Sequence, residues 1–307
     1  MKHETVLKAE AIAHLNIKAN GIYVDCTLGG AGHSLAILEH LSDGFLFGFD
    51  IDEYATTYAK SVLKEFKNYQ IIKSNFRHLK EKLAEQGIEK IDGVLLDLGL
   101  SSFQIDDVSR GFTYLKDTSL DMRMDQHQTL TAKDILNTYS KEDLAHIFFV
   151  YGEEKNSFKI ANRIIDQRPL ETTMDLVKIT DQVNFREKGH SAKRVFQALR
   201  IAVNDELTAL EKALKDTVDL LNPDGRIVVI TFHSLEDRIV KHFFKQMSTA
   251  FVPKNLPIQH LPNAPLEIVT KKPVYPTQEE YERNSRSRSA KLRSAKRRIH
   301  ENSTHRP

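Results

Sequence analysis

The chain of 307 residues lacks several features that would mark particular classes of protein. Its single cysteine, Cys26, cannot form an internal disulfide, and no CxxC spacing of a metal site is present. No apolar stretch approaches the roughly 20 residues that a membrane-spanning helix needs. The first residues, 1–5, contain no apolar signal core. We therefore expect a cytoplasmic protein that binds neither a metal nor a membrane.

The charge composition is nearly balanced but unevenly distributed. There are 44 basic and 42 acidic residues, and 40% of the residues are hydrophobic, which is ordinary for a soluble enzyme. The segment that starts at Arg283 is rich in arginine and has no acid before Glu301. Such clustering favours a nucleic-acid phosphate backbone, because each neutralised phosphate releases counterions. A frayed, solvated terminus is the alternative interpretation.

Three short apolar runs each end in an acidic residue. These acids are Asp25, Asp50 and Asp97, and the first is followed by the glycine-rich turn 29–32. Short apolar runs are typical of buried parallel strands, and open α/β sheets bind ligands outside the carboxyl ends of their strands. The sequence therefore predicts a nucleoside-cofactor site at that edge of the sheet.

The details of this site favour one cofactor over another. Asp50 lies 18 residues after Gly32, a spacing that suits an acid on ribose hydroxyls. However, the turn does not read G-x-G-x-x-G, and Asp25 would be unfavourable beside a pyrophosphate. An acid there suits an ammonium or sulfonium group. The residues thus favour S-adenosylmethionine over NAD.

The alternation of strand-like and helix-like segments predicts a doubly wound α/β sheet. This alternation stops between about residues 106 and 194, where polar-rich helical stretches follow one another. We therefore expect a discontinuous sheet domain of residues 1–105 and 195–307, with a helical substrate-recognition domain inserted at 106–194. A long helix is expected at 195–221, ending at the turn 222–225 before a fifth strand at 226–230. The helical stretches expected within the insertion are 131–136, 140–151, 158–167 and 173–183.

Other polar residues near the strand ends have structural interpretations as well. The position of Asp97 at a strand end favours a role in the site, although an acid there could also be the N-cap of a helix. Ser101 and Ser102 could likewise be capping residues. We interpret Ser234 and Asp237 as a capping box, which leaves His233 to face the cleft. Cys26 lies under the glycine-rich turn and is predicted to be a buried packing residue.

Longer strings carry a resemblance that covers nearly the whole chain. The chain resembles the bacterial small-subunit ribosomal RNA cytosine-N4 methyltransferases, the MraW family. The most specific strings are LDMRMD at 120–125 and FHSLEDRIVK at 232–241; others are HETVL at 3–7, YVDCTLGGAGHS at 23–34, LLDLGLSS at 95–102, YGEE at 151–154, FQALRI at 196–201 and SRSAKLR at 287–293.

The resemblance implies transfer of a methyl group from S-adenosylmethionine to a cytidine amine in the decoding region of 16S ribosomal RNA. It also implies a class I methyltransferase fold with a helical domain inserted after the fourth strand. Cys26 and the turn 29–32 depart from the usual family pattern without removing a backbone donor. By similarity, the cofactor contacts are Ala31, Gly32, His33, Asp50, Phe76, Asp97 and Gln104.

The cytidine amine is a poor nucleophile, so we expect the site to provide hydrogen-bond acceptors that orient it and stabilise the charge that develops on it. The chain lacks the Asp/Asn-Pro-Pro-Tyr/Phe string of many amino-methyltransferases, so we assign acceptance to Asp97 and the Leu98 carbonyl, with His233 assisting. The ring that stacks on the base is left open among Phe103, Phe112 and Phe232.

The expected partner is the assembled small ribosomal subunit, held by the insertion and the arginine-rich tail. A homodimer is neither predicted nor excluded. Three other functions stay open from the residues alone: a nicotinamide-dependent oxidoreductase, a non-catalytic RNA assembly factor, and a methyltransferase with another target.

Overall fold

The computed structural model describes residues 4–186, 188–249 and 264–299, and the chain divides into two compact units. The sheet unit comprises the chain up to Gly99 and from Ala209 onward. The helical unit is Leu100–Thr208. The sequence places these borders after residues 105 and 194, whereas the structure places them after residues 99 and 208.

The sheet unit is built on one seven-stranded sheet in the order β3-β2-β1-β4-β5-β7-β6. β1 to β5 are parallel, whereas β7 runs antiparallel to β5 and β6 antiparallel to β7. This confirms the expected doubly wound α/β architecture. The strands are β1 (Ile22–Asp25), β2 (Phe45–Asp50), β3 (Tyr69–Lys73), β4 (Ile91–Asp97), β5 (Leu221–Thr231), β6 (Leu266–Ile268) and β7 (Lys291–Arg297).

The described residues also form helices in both units. α5 to α10 belong to the helical unit, and the border of the units falls inside α11. The helices are α1 (Lys8–Leu15), α2 (Gly32–Leu38), α3 (Glu53–Val62), α4 (Leu79–Ala84), α5 (Ser102–Asp106), α6 (Ala132–Thr138), α7 (Lys141–Gly152), α8 (Ser157–Gln167), α9 (Thr173–Asn184), α10 (Lys193–Asn204), α11 (Glu206–Leu220), α12 (Ser234–Ser248) and α13 (Gln278–Arg283).

The central strands are apolar because both faces of the sheet are covered. Val94 and Leu96 on β4 pack into a core with α4, α11 and α12. Leu95, between them, packs on the other face with α1, α2 and α3. Successive side chains of a strand point to opposite faces, so the middle positions of a strand that is buried on both sides are apolar.

Two local expectations around β5 were wrong. The predicted long helix is two helices, because Asp205 adopts a left-handed conformation with φ of 49° and ends α10. β5 begins at Leu221, before the predicted turn, and the turn 222–225 is accommodated as a register shift against β4. The later part of β5 pairs in regular register, with Asp97 opposite Ile230.

Over its described residues, the arginine-rich tail forms part of the sheet. The alternative interpretation of this segment as a frayed, solvated terminus is therefore wrong for these residues. β7 lies between β5 and β6. The buried Arg293 donates to Asp237, with 2.6 Å between Nε and Oδ1. Burial opposes ionisation of Asp237, but Arg293 and Lys291 outweigh burial and lower the pKa of its carboxyl group. Residues 300–307 lie outside the described part.

The helical unit has a hydrophobic core of its own. Helices are present at all four of the stretches expected from the sequence, as α6, α7, α8 and α9. Among the helices that the structure describes, none has the length and apolarity needed to span a bilayer. Within the same residues, no three His, Cys, Asp or Glu side chains are grouped to hold a metal ion.

Candidate active site

The carboxyl ends of β1, β2, β4 and β5 lie at one edge of the sheet. Asp25 at the end of β1 pairs in register with Gly48 and Leu95, and Asp97 at the end of β4 pairs with Ile230. β1 has β2 on one side and β4 on the other, so the order of strands reverses between them. Open α/β sheets bind ligands at such a switch point.

Asp25 organises the loop that follows β1. Its carboxylate is fully buried and accepts hydrogen bonds from the Thr27 N–H at 3.1 Å and from the Ser34 hydroxyl at 2.7 Å. Burial raises the pKa of Asp25, while the nearby His33 opposes that increase. Because Asp25 is fully buried and both of its oxygens bind groups of the loop, it holds the loop in place and is not exposed to a cationic ligand.

The turn itself requires unusual backbone conformations and close packing. Gly29 and Ala31 have positive φ angles of 45° and 59°, a region that costs little only for glycine. A Cβ on Gly32 would lie 1.8 Å from the Thr5 hydroxyl oxygen. The turn therefore brings its backbone close to Thr5, in the segment before α1, and a Cβ at Gly32 would have to displace the Thr5 hydroxyl group.

Cys26 is a packing residue, as predicted. Its side chain is buried in the core and its N–H donates to the Leu95 carbonyl on β4. Burial raises the pKa of the thiol well above its usual value, so Cys26 is held as the neutral thiol.

Asp50 is positioned by two backbone donors. One carboxylate oxygen accepts from the Gly29 N–H at 2.8 Å and the other from the Asp52 N–H at 2.9 Å. These bonds link the end of β2 to the turn after β1. Burial raises the pKa of Asp50 to about 6, although both backbone donors oppose the increase. Each oxygen keeps a lone pair for a hydroxyl donor.

Asp97 and His33 face each other at the end of β4. His33 Nε2 lies 3.4 Å from Asp97 Oδ2, and the His33 side chain is only 4% exposed. Asp97 Oδ1 and both ring nitrogens of His33 have no hydrogen-bond partner within the described part of the chain. Buried polar atoms without partners are rare in folded proteins and indicate a ligand or a functional role.

The backbone around Asp97 is fixed by its neighbours. The Asp97 N–H donates to the Thr27 hydroxyl at 2.7 Å, and the Leu98 N–H donates to the Ile230 carbonyl at 3.0 Å. Sequence reasoning missed the role of Thr27, because nothing in the local pattern ties a threonine to a strand about 70 residues later.

At the end of β5, the predicted capping box is shifted by one residue. His233, not Ser234, is the N-cap of α12, and Glu236 rather than Asp237 closes the box. The buried Glu236 accepts from the N–H groups of Phe232 and His233 at 2.8 and 3.2 Å. Its other oxygen lies 3.0 Å from His233 Nε2. The His233 ring therefore lies against Glu236 as an ion-pair contact, and neither ring nitrogen has a hydrogen-bond partner among the described residues. The His-x-x-Glu spacing could have indicated this pair.

The remaining predicted residues have different surroundings. Phe76 is partly buried just beyond the end of β3, where it packs against the core of the sheet unit. Gln104 lies in the helical unit, where its side-chain oxygen accepts from the Ser101 N–H in a capping box that starts α5. Of the three candidate stacking rings, Phe232 contacts the Gly99 position in the sheet unit, whereas Phe103 and Phe112 lie in the helical unit.

Comparisons with known proteins give a consistent result. A family model described as the MraW methylase family matches residues 1–298. A protein named ribosomal RNA small subunit methyltransferase H 1, from Acholeplasma laidlawii, is 59% identical over 96% of this chain and 99% of its own. The ribosomal RNA small subunit methyltransferase H of Finegoldia magna is 50% identical over 96% and 98%. The solved structure of an rRNA methylase from Streptococcus thermophilus gives a TM-score of 0.43 at 10% identity, over 97% of this chain and 100% of that one.

Proposed function

The chain belongs to the MraW methylase family, and from that premise we propose that it methylates the N4 amine of a cytidine in small-subunit ribosomal RNA. The methyl donor is S-adenosylmethionine. The observation that carries the reaction is Asp97 at the switch-point edge, with one buried oxygen that has no partner among the described residues. An oxidoreductase is no longer a competitor, because relatives over nearly the whole chain are named as methyltransferases.

The residues at the sheet edge suit this cofactor. Asp50 is the acid for the ribose hydroxyls, because both of its oxygens can accept a further hydrogen bond beside the Gly29 turn. Ala31, Gly32 and His33 would provide the backbone that approaches the cofactor, and Phe76 the apolar contact for adenine. We also retain Gln104 as a cofactor contact. When bound, S-adenosylmethionine would supply a methyl group from its cationic sulfur, and the sulfur would keep the S–C bonding electrons as a neutral thioether.

Asp97 is the proposed catalytic residue. A cytosine amine is a weak nucleophile because its lone pair is delocalised into the ring. Asp97 Oδ1 and the Leu98 carbonyl would accept hydrogen bonds from the two N–H groups of N4, which orients its lone pair. As positive charge develops on N4, the carboxylate stabilises it and accepts the proton that the amine loses.

Two histidines would support that step. His33 lies beside Asp97 and is positioned to hold the carboxylate and to share the released proton. His233 is held by Glu236 at the end of β5, and we propose that it assists at the substrate amine.

The helical unit is proposed to recognise the RNA. In the sequence the helical unit begins at Leu100, three residues after Asp97. The assembled small subunit, rather than a free oligonucleotide, is the proposed substrate, and the proposed location is the cytoplasm. We leave the oligomeric state, including a homodimer, to measurement.

Labelled methyl transfer tests the proposal. Purified protein is incubated with labelled S-adenosylmethionine and small subunits that lack the modification, and the RNA nucleosides are separated by mass spectrometry. We expect label in N4-methylcytidine at one position. Label in a different nucleoside or in ribosomal protein would show another target. Binding of S-adenosylhomocysteine without any transfer would favour an RNA assembly factor.

A further inference from the structure

The Tyr151-Gly152-Glu153-Glu154 motif lies in the helical unit and takes no part in the chemistry above. Glu154 is 1% exposed, which is unusual for a carboxylate unless it is paired. It accepts from the Asn156 N–H at 2.8 Å and from the Asn184 side-chain amide at 3.1 Å. Arg194 lies 3.7 Å away as an ion pair. Glu154 thereby ties the start of α8 to the end of α9 and the start of α10.

The other members of the motif hold α7 against α10. A Cβ on Gly152 would lie 2.6 Å from the Arg194 carbonyl oxygen, so only glycine allows this approach. The Tyr151 carbonyl accepts from the Gln197 side chain at 3.0 Å. Glu153 adopts a left-handed conformation with φ of 51° and ends α7. The motif therefore fixes the ends of four helices with respect to one another.

Three exposed aromatic rings lie near these helix ends in the sequence. Phe149 on α7, Phe158 on α8 and Phe185 just after α9 are 62%, 61% and 71% exposed. The Arg186 guanidinium lies 5.0 Å from the centre of the Phe185 ring. The motif holds the ends of these helices together, so an exposed ring near each of three of these ends makes this end of the unit a candidate binding surface.

Cations accompany the rings on α8. Lys159 and Arg163 are exposed and four residues apart, so they share one face of α8, and the exposed Phe158 precedes Lys159 in the sequence. Lys155 is exposed just before α8. Within the described residues, none of these three cations has an ion-pair partner. One exposed acid, Asp166, lies near the end of the same helix.

We propose that this surface, comprising Phe149, Lys155, Phe158, Lys159, Arg163, Phe185 and Arg186, is an RNA-docking surface. The rings stack on unpaired bases and the cations contact phosphates, the combination that single-stranded nucleic acid requires. Because Lys155, Lys159 and Arg163 have no acidic partner in the part of the chain that the structure describes, their charge favours a polyanion over a protein or a second copy of this chain. The inference rests on the proposed function, because it assigns the partner of the same reaction.

Variants on α8 test the surface in the full-length protein. Phe158→Ala and the double variant Lys159→Ala/Arg163→Ala are compared with Phe158→Tyr, which keeps the ring, and with Lys64→Ala/Lys67→Ala, which removes two exposed cations from the sheet unit. Methylation of small subunits is measured as kcat and KM over a range of salt concentrations. Circular dichroism and S-adenosylhomocysteine binding report whether each variant is folded.

We expect Phe158→Ala to raise KM by about fivefold or more with kcat unchanged, because the stacking ring is lost. Phe158→Tyr keeps the ring and should have a KM close to that of the wild type. Removing the α8 cations should make the slope of log K against log salt concentration shallower by about 0.7 for each phosphate contact that is lost. The Lys64→Ala/Lys67→Ala control should keep the wild-type slope. If both α8 variants had the wild-type KM and the wild-type salt slope, the proposed RNA-docking surface would be refuted. It would also be refuted if the only defect of these variants were a loss of self-association.

Direct binding to protein-free ribosomal RNA separates this inference from the proposed function. If the wild-type protein binds RNA through α8 but transfers no methyl group, the proposed reaction fails and the surface stands. If methylation is normal and RNA binding is insensitive to the α8 variants, the surface fails and the reaction stands.

Discussion

The pH dependence of cofactor binding should be controlled by Asp50. Burial raises the pKa of this carboxyl group to about 6 in the free protein. Ribose hydroxyls donate hydrogen bonds, so they require the ionised carboxylate, and binding must therefore include loss of the proton at low pH. Because the folded-state pKa is above that of an exposed aspartate, this group also makes the free energy of unfolding decrease as pH rises from about 4 to about 6.

The size of the effect follows from the titration. With a pKa of about 6, Asp50 is about 90% ionised at pH 7 and about 10% ionised at pH 5. If bound ribose keeps the carboxylate ionised, the Kd for S-adenosylhomocysteine should rise about tenfold between pH 7 and pH 5. Isothermal titration calorimetry should also show one proton released on binding near pH 5.

Asp50→Asn is the matched control because its amide does not titrate in this range. Its affinity should be lower at pH 7 by about 10- to 150-fold, the loss of one hydrogen bond to a charged group. Between pH 7 and pH 5, its Kd should change far less than that of the wild type. Equal pH dependence in the two proteins would refute the role of Asp50 in ribose binding.

Further predictions concern the turn, the histidine beside Asp97 and the last strand. Gly32→Ala should lower the free energy of unfolding by about 1–3 kcal/mol in urea titrations, with partial recovery in combination with Thr5→Ala; an unchanged midpoint would contradict the 1.8 Å approach. His33→Leu should reduce kcat by about 10²-fold with little change in S-adenosylhomocysteine affinity, whereas an unchanged kcat would make His33 structural. Arg293→Met should cost about 3 kcal/mol of stability at pH 7 and less at low pH, where Asp237 is protonated; a loss that does not vary with pH would refute this pairing.

The strand ends and their acids could be predicted from the sequence because buried parallel strands have a strong local signal. Asp50 and Asp97 each follow an apolar run and lie at the predicted edge. Because the carboxyl ends of parallel strands lie at the same edge of a sheet, the parallel arrangement alone predicts that these acids share that edge.

Features that depend on side-chain partners were harder to predict. The cap of α12 was assigned one residue late, because Ser and Asp fit the usual capping pattern better than His233 and Glu236. β7 was interpreted as a tail because its arginines mask the strand pattern, and only the distant Asp237 shows why Arg293 can be buried. The contact of His33 with Asp97 joins residues far apart in the chain, so no local spacing reveals it.

The single-turnover rate of Asp97→Asn on small subunits tests the central claim most directly. The Asp97 N–H would still donate to Thr27, so the fold should be kept, and the amide retains one acceptor oxygen for the cofactor, so S-adenosylhomocysteine should still bind. The amide cannot accept the proton from the cytidine amine, and we predict that methyl transfer falls by at least about 10²-fold. Transfer at the wild-type rate by a protein that binds the cofactor normally would contradict the account.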